Sequence, residues 1–312
     1  MSNLTGTVYR STGSWYDVKD IHGKDWRARA RGVFKVEGIT STNPIAVGDE
    51  VVLEPEPGQE EVAQIIDILP RQNYISRQSP SHRKQHHIVA SNLHQSLLVA
   101  TIKNPRTSTG FIDRFLIAAE AYHVPAVLAV NKADTWSKKE EEIFAAWQGI
   151  YEPLGYAMLA TSAATGQGLP QLKAMLAGKT TLISGHSGVG KSSLLNALMP
   201  GFSLRTKEVS QWSGKGMHTT TFAQMFDLPE GGHVIDTPGM REFGIVHMER
   251  AELSHYFPEM RNLIHQCQFN NCQHLEEPGC AIKAALEAGQ INANRYLSYL
   301  SIFDSLPQNH WE

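Results

Sequence analysis

The chain is poor in cysteine: it has three among 312 residues, and all three lie within residues 267–280. An odd number cannot pair completely within one chain, so this spacing favours metal binding over a disulfide framework. Apolar runs long enough to span a membrane are missing, and the N-terminus lacks a charged start followed by an apolar stretch. We therefore expect a cytoplasmic protein without a membrane span.

A strong excess of charge is absent too, since the net charge is −3 and the isoelectric point is near 6.5. Such a chain has no overall attraction for nucleic acid or an anionic membrane, so contacts with RNA must come from local patches. Hydrophobic residues make up 41% and charged residues 19%, an ordinary globular balance. The length predicts two or three packed units.

Residues 1–70 predict an all-β barrel of the OB-fold type, because five short strands alternate with turn residues. The predicted strands cover residues 6–10, 15–19, 26–31, 49–53 and 61–66. One stretch interleaves aromatic and cationic side chains and could stack on bases and grip phosphates of RNA. In the alternative, its arginines mark the solvent face of a strand. This stretch contains Trp26, Arg27, Arg29, Arg31, Phe34 and Lys35.

Residues 71–90 are polar and basic and lack apolar periodicity, which predicts a linker between domains. Its histidines His82, His86 and His87 have no cysteine or carboxylate close by in the sequence. A solvated loop is therefore favoured over a metal site.

Residues 91–245 alternate apolar strands with amphipathic helices, which predicts an α/β domain with a mainly parallel sheet. Ligands of such sheets bind at the carboxyl ends of the strands. Strands are predicted at 96–102, 126–130, 157–160, 180–184 and 232–235, and helices at 111–122, 138–151, 169–176 and 193–198.

A phosphate-binding loop follows the strand at 180–184 and opens a helix. Its glycines let backbone N–H groups point at phosphates, Lys191 reaches the β- and γ-phosphates, and Ser192 offers a hydroxyl to Mg²⁺. A chance glycine-rich turn is disfavoured because strand and helix are both in place. The nucleotide-binding residues predicted here are Gly185, His186, Ser187, Gly188, Val189, Gly190, Lys191, Ser192 and Ser193.

Two further motifs predict that the base is guanine. Asn131, Lys132, Ala133 and Asp134 end the strand at 126–130, and a carboxylate there can accept hydrogen bonds from N1 and the exocyclic amino group of guanine. Adenine offers no such donor pair and would leave the carboxylate unpaired. Ser162 and Ala163 follow the next strand, where a backbone amide can contact the guanine carbonyl. We therefore expect GTP rather than ATP.

The groups that bind Mg²⁺ and contact the γ-phosphate are predicted to lie in an Asp-Thr-Pro-Gly motif and in a polar, glycine-rich stretch. The carboxylate of Asp236 can hold Mg²⁺ through water, and the amide of Gly239 can sense the γ-phosphate. Residues 207–221 predict a mobile switch I in which Thr219 or Thr220 closes on Mg²⁺.

The water-orienting glutamine of Ras-like enzymes has no counterpart after Gly239, since the next residue is Met240. We predict that His218 positions the attacking water instead. In the alternative, His218 is an exposed loop histidine.

Cys267, Cys272, His274 and Cys280 offer three thiolates and one imidazole, which fits a closed, structural zinc site. His265 is a competing ligand, but His274 lies between two of the cysteines and is preferred. Unligated cysteines are disfavoured by their clustering. Helices are predicted at 281–289 and 292–303, so residues 246–312 form a mainly helical zinc-binding domain.

The nucleotide motifs resemble those of translation-factor-related GTPases, in which the phosphate loop, switch I and Asp-x-x-Gly precede Asn-Lys-x-Asp and Ser-Ala. In this chain the last two come first, which predicts a circularly permuted P-loop GTPase core. Permutation is tolerated where the ends of a fold lie close together. It places switch II directly before the C-terminal region.

With the barrel, the Gly-Lys-Gly-Met-His-Thr-Thr-Thr segment and the cysteine spacing, the chain resembles the bacterial RsgA family, also called YjeQ. The resemblance implies a GTPase stimulated by the small (30S) ribosomal subunit during late maturation, with GTP, Mg²⁺ and one Zn²⁺. It implies the subunit and its 16S rRNA as partners, other assembly factors beside them, and a monomer. Met217 departs from the basic or small residue expected in relatives.

Two other functions stay open. One is a nucleotide-gated RNA-binding scaffold with negligible hydrolysis, and the other is a chaperone GTPase that uses the cysteines to deliver metal.

Overall fold

The computed structural model describes residues 4–32, 44–78, 86–201, 223–237 and 248–307. Its first five strands form a closed barrel, because β1 pairs with both β2 and β4 while β3 and β5 pair in parallel. Inward side chains such as Val8, Leu53 and Ile65 are fully buried. The predicted OB-fold-type barrel is confirmed. Its strands are β1 Leu4–Ser11, β2 Tyr16–Asp20, β3 Asp25–Ala30, β4 Glu50–Pro55 and β5 Val62–Ile68.

Trp26 belongs to the core of the barrel, and its prediction as an RNA-stacking ring was wrong. Its side chain is buried and its indole Nε1 donates to Asp20 at 2.9 Å. In β3, Trp26 and Ala28 alternate with exposed Arg27 and Arg29, so the tryptophan falls on the inward set. Trp15 faces outward instead, with the Arg27 guanidinium 4.6 Å from its ring centre.

The segment predicted as a linker contains two paired strands, β6 Tyr74–Gln78 and β7 His86–Ser91. His86 and His87 therefore lie in a strand and not in a loop, while His82 falls outside the described residues. Most residues of this hairpin are polar, but a few apolar side chains along its strands are buried, among them Ile75, Ile88 and Ala90.

A buried ion pair fixes the hairpin against the barrel. Arg71 and Asp49 meet at 2.6 Å, and the hydroxyl of Ser91 also donates to Asp49 at 2.6 Å. The Asp49 side chain is fully buried, so these donors are required to satisfy it.

Residues 95–236 form the predicted α/β unit. The strand order is β10-β9-β8-β11-β13-β12, and all neighbours are parallel except β12 and β13. The mainly parallel sheet is confirmed, whereas β12 was not placed by the sequence. The strands are β8 Gln95–Ala100, β9 Ala126–Val130, β10 Ala157–Ala160, β11 Thr180–Ser184, β12 Gln224–Asp227 and β13 His233–Asp236.

Helices cover both faces of this sheet. Leu98 and Leu128 point into one core, and Leu97 and Ala129 into the other, as the alternation along a strand requires. The helices are α1 Thr109–Ala121, α2 Lys138–Tyr151, α3 Leu169–Leu176, α4 Lys191–Leu198, α5 Pro258–Arg261, α6 Ala281–Glu287 and α7 Ala293–Ser305. Short 3₁₀ turns occur at Ala133–Thr135, Glu152–Leu154, Arg250–Tyr256 and Ile264–Gln266.

The barrel and the α/β sheet are continuous, because β1 pairs antiparallel with β12. The C-terminal helices pack on the α/β unit through α1 and α7. There Asp113 accepts hydrogen bonds from Arg295 at 2.8 Å, Ser298 at 2.5 Å and Tyr151 at 2.9 Å, all in the interior. Among the described helices, none combines the length and apolarity that crossing a membrane requires.

Candidate functional site

The phosphate-binding loop lies between β11 and α4, at the carboxyl end of the sheet. Gly185 has a φ of +142°, and a Cβ there would overlap the carbonyl oxygen of Val99. Gly190 has a φ of +93°, and its Cβ would come within 2.5 Å of Asn131 Nδ2. Glycine is therefore required at both positions, because the loop rests directly on β8 and on the end of β9.

Lys191 reaches back over this loop. Its Nζ donates to the carbonyl oxygens of Gly185 and, at 2.9 Å, of His186. Burial lowers the pKa of Lys191, while the nearby carboxylate of Asp236 acts in the opposite direction. The imidazole of His186 packs against the ring of Phe111, with ring centres 3.7 Å apart and planes tilted by 31°. The first turn of α1 thus supports the loop.

Two buried oxygen atoms at the strand ends lack hydrogen-bond partners within the described part of the chain. They are Oδ1 of Asp236 and Oγ of Ser184. Asp236 lies opposite Ile183 in the parallel pair of β13 and β11, so both atoms sit beside the phosphate loop. Leaving such groups unsatisfied costs about 1–3 kcal/mol each.

Burial raises the pKa of Asp236 above its ordinary value, and this effect outweighs the positive charge of Lys191, which acts in the opposite direction. Carboxylate and hydroxyl oxygens are the ligands that Mg²⁺ and its bound waters prefer. The unpartnered carboxylate oxygen of Asp236 therefore fits a ligand of Mg²⁺ or of a water bound to it.

Asn131 joins three loops that are distant in sequence. It is 2% exposed, and its Nδ2 donates to the carbonyl oxygen of Val189 in the phosphate loop at 2.9 Å. Its Oδ1 accepts from the backbone N–H of Ala163 at 3.3 Å and from Thr161 Oγ1 at 3.4 Å. One side chain thereby fixes the ends of β9, β10 and β11 relative to one another.

Lys132 and Asp134 extend this arrangement. Lys132 has a left-handed backbone (φ +66°), and its Nζ donates to the carbonyl oxygens of Asn104 and, at 2.8 Å, of Gly188. Ser162 Oγ donates to Asp134 Oδ1 at 2.5 Å, which leaves the other carboxylate oxygen for a ligand. The contact from Asn104, in the loop after β8, was not foreseen from the sequence.

Four of the five segments that the sequence assigned to a nucleotide therefore converge on one edge of the sheet. The fifth, the predicted switch I at residues 207–221, lies outside the described residues. Ala133 also joins them, since its N–H donates to the Thr161 carbonyl at 3.0 Å. His218, Thr219, Thr220, Gly239 and Met240 lie outside the described residues.

Cys267, Cys272, His274 and Cys280 form a second cluster, in which one ligand atom from each lies within 4.8 Å of the others. His274 Nδ1 is 3.6 Å from the Cys267 sulfur and 3.5 Å from that of Cys280. Three sulfurs and one imidazole nitrogen at this spacing fit a tetrahedral zinc site.

Helix α7 holds the loop that carries this cluster. Tyr296 donates to the carbonyl oxygen of His274 at 2.6 Å, and Tyr299 donates to that of Gln273 at 2.7 Å. His265 is not part of the cluster in the described structure.

Comparison with known proteins identifies the family. The protein-family model described as RsgA GTPase matches residues 68–246, and the model described as RsgA N-terminal domain matches residues 5–62. A protein of Christiangramia forsetii named small ribosomal subunit biogenesis GTPase RsgA is 48% identical over 308 residues, or 98% of each chain. The chain belongs to the RsgA GTPase family.

Solved structures of similar proteins agree with this assignment. YjeQ from Thermotoga maritima is 35% identical, with a TM-score of 0.80 over 98% of this chain and 99% of that one. YloQ, titled a circularly permuted GTPase, is 28% identical, with a TM-score of 0.75 over 98% and 97%. The predicted resemblance to RsgA, the permuted fold and the GTP hydrolase activity are thereby confirmed.

Proposed function

We propose that this RsgA-family GTPase acts in the late maturation of the small ribosomal subunit, binding the subunit and its 16S rRNA and hydrolysing GTP in response. The main observation in support is the bonding of Asn131 to both Val189 and Ala163, which assembles the permuted segments into one site. The name of the Christiangramia forsetii relative supports the ribosomal role. We further propose a cytoplasmic monomer that works beside other assembly factors.

In this proposal Asp134 reads guanine and the N–H groups of residues 185–193 hold the phosphates. Lys191 neutralises charge between the β- and γ-phosphates. Ser192 and Asp236 hold Mg²⁺, with Thr219 or Thr220 and the amide of Gly239 closing on the γ-phosphate side. A bound Mg²⁺ neutralises developing charge on the phosphate oxygens.

Replacing His218 with alanine should slow hydrolysis by about 100-fold or more, the usual contribution of a positioned acid–base group. GTP affinity should stay unchanged, because His218 is assigned to the attacking water and not to the bound nucleotide. Single-turnover hydrolysis and GTP titration measure the two effects separately. An unchanged single-turnover rate would remove His218 from the mechanism.

For the domains we propose a barrel at residues 1–70, a connecting segment at 71–90, the permuted GTPase core at 91–245 and a zinc-binding domain at 246–312. On the barrel, the stacked pair of Trp15 and Arg27 offers an aromatic face and a cation to RNA. Arg29 and Arg31 are less available, since they pair with Glu56 at 2.9 Å and Glu54 at 2.5 Å.

Replacing Cys272 with serine should remove a structural zinc ion and unfold the C-terminal domain, because binding energy at such a site is folding energy. His265→Ala is the matched control, since it removes a nearby candidate ligand that lies outside the cluster. Elemental analysis of the purified variants measures zinc, and hydrogen exchange in α6 and α7 measures folding. Full zinc content in the Cys272 variant would contradict the site.

The ribosomal role is tested by measuring GTP turnover with and without purified small subunits. The proposal predicts a strong rise in turnover. A rate that stays flat at saturating subunit would leave the RNA-binding scaffold as the better account. Zinc that a mild chelator removes from the folded protein would favour the metal-delivery function instead.

A further inference from the structure

The barrel rests on the hairpin that connects the two segments expected to change with nucleotide state. This hairpin consists of β12 and β13, in which Gln224 lies opposite Asp236. The predicted switch I ends at Thr221, shortly before β12, and β13 ends at Asp236, where the Asp-Thr-Pro-Gly motif begins. On the other side of β12, Arg10 of β1 lies opposite Gln224. A row of paired backbone therefore runs from the barrel to the magnesium side of the nucleotide site.

Four side chains reinforce this contact, and we call them the barrel–hairpin joint: Tyr9 and Lys19 from the barrel, and Asp227 and His233 from the hairpin. One carboxylate oxygen of Asp227 accepts from the Tyr9 hydroxyl at 2.6 Å, and the other accepts from Lys19 Nζ at 2.5 Å. His233 Nδ1 lies 2.9 Å from Asp227 Oδ1. Its ring meets Tyr9 edge to face, with centres 5.9 Å apart. Asp227 thus links both sides.

The negative charge of Asp227 is balanced by the Lys19 ammonium group. Burial alone would raise the pKa of Asp227, but the hydrogen bonds from Lys19 and Tyr9 outweigh it and hold this pKa below its ordinary value. The Lys19 side chain is 28% exposed and that of Asp227 is 48% exposed. Ion pairs this exposed contribute little to folding stability. The joint therefore matters for where the hairpin sits relative to the barrel more than for whether the chain folds.

We propose that the barrel–hairpin joint couples RNA binding on the barrel to GTP turnover, because it sets the position of β12 and β13, and β13 ends at Asp236 on the magnesium side of the nucleotide site. The coupling rests on the proposed function, because it needs a partner at the barrel. Trp15, in the proposed RNA face, directly precedes β2, and β2 carries Lys19. A partner bound beside Trp15 therefore contacts the strand whose Lys19 bonds to Asp227. The barrel site and the nucleotide site thus touch the same hairpin, the element through which the coupling is proposed to act.

The test compares two exposed ion pairs on the same hairpin. Lys19→Met removes the ion pair of the joint, whereas Lys173→Met removes the pair of Lys173 with Glu230, which joins the hairpin turn to α3 at 2.9 Å. The second pair has a similar exposure of 28% and 42%. Lys19→Met should lose at least about fivefold of the subunit-stimulated turnover, the lower end of coupling between sites. Unstimulated turnover and subunit affinity should stay at the wild-type level, Lys19→Arg should restore stimulation, and Lys173→Met should behave as wild type.

Equal stimulated turnover in Lys19→Met and Lys173→Met would overturn the coupling. A second measurement needs no ribosomal subunit: amide hydrogen exchange with GDP and with a non-hydrolysable GTP analogue. In the wild type the exchange of β1 and β2 should differ between the nucleotides, and in Lys19→Met the difference should end at β12. Equal amide hydrogen exchange of β1 and β2 with the two nucleotides in the wild type would also overturn the coupling. A wild type without subunit stimulation would instead refute the proposed function, and hydrogen exchange would still decide the joint.

Discussion

Lys191→Ala is expected to reduce GTP turnover by at least about 100-fold, the usual loss when one group that stabilises transition-state charge is removed. The Nζ of Lys191 lies inside the phosphate loop, between the carbonyls of Gly185 and His186. An incoming phosphate can replace these carbonyls as its partners, because the loop N–H groups bring anionic oxygens to the same place. Removing the amine leaves the charge that develops on the γ-phosphate without its nearest cation.

Lys179→Ala is the matched control for this variant. Lys179 precedes the same strand, β11, at its opposite end, where Nζ donates to Gln95 at 3.1 Å. Turnover of the control should match the wild type, and thermal melting should show both variants folded. GTP should lose more affinity than GDP in Lys191→Ala, since the lysine is assigned to the terminal phosphates. A variant that still hydrolyses GTP at the wild-type rate would refute this role.

Asp134→Asn is expected to weaken GTP binding by about 10⁴-fold. This is the usual loss when a site built to hydrogen-bond the N–H groups of a ligand no longer offers them matching acceptors. The carboxylate of Asp134 accepts one bond from Ser162 and is otherwise available to guanine. An asparagine amide keeps one oxygen that can accept from N1–H, but its N–H group faces the exocyclic amino group of guanine, which is a donor as well. Donor then faces donor.

The same substitution should create a site for xanthosine triphosphate, because xanthine carries a carbonyl where guanine carries the amino group. The asparagine amide can donate to that carbonyl. Asp134→Ala is the control, since it should lose GTP without gaining the xanthine nucleotide. Competition binding and turnover with both nucleotides measure the exchange of specificity. An Asp134→Asn variant that retains GTP and ignores the xanthine nucleotide would show that another group reads the base.

Most of the nucleotide site could be predicted from local sequence motifs. The phosphate loop and the Asn-Lys-Ala-Asp segment each follow a short apolar strand, and strand, loop and helix are contiguous in sequence. Their type could therefore be predicted without knowing the rest of the fold. The metal cluster was equally local, because its ligands lie within fourteen residues.

Features that depend on distant contacts could not be predicted. The pairing of Arg10 with Gln224 joins strands more than two hundred residues apart, and no local pattern marks it. Which tryptophan points outward, Trp15 or Trp26, depends on the register of β3 in the barrel. The hairpin of β6 and β7 was missed because its polar residues outnumber its buried ones.

The claim that the permuted segments build one guanine-nucleotide site is tested most directly by displacement of a fluorescent GDP from the wild-type protein. GTP and GDP should displace it, and IDP should do so more weakly because its base lacks the amino group that Asp134 is proposed to bind. ADP should require a concentration about 10⁴-fold higher. Displacement by ADP as effective as that by GDP would contradict the account.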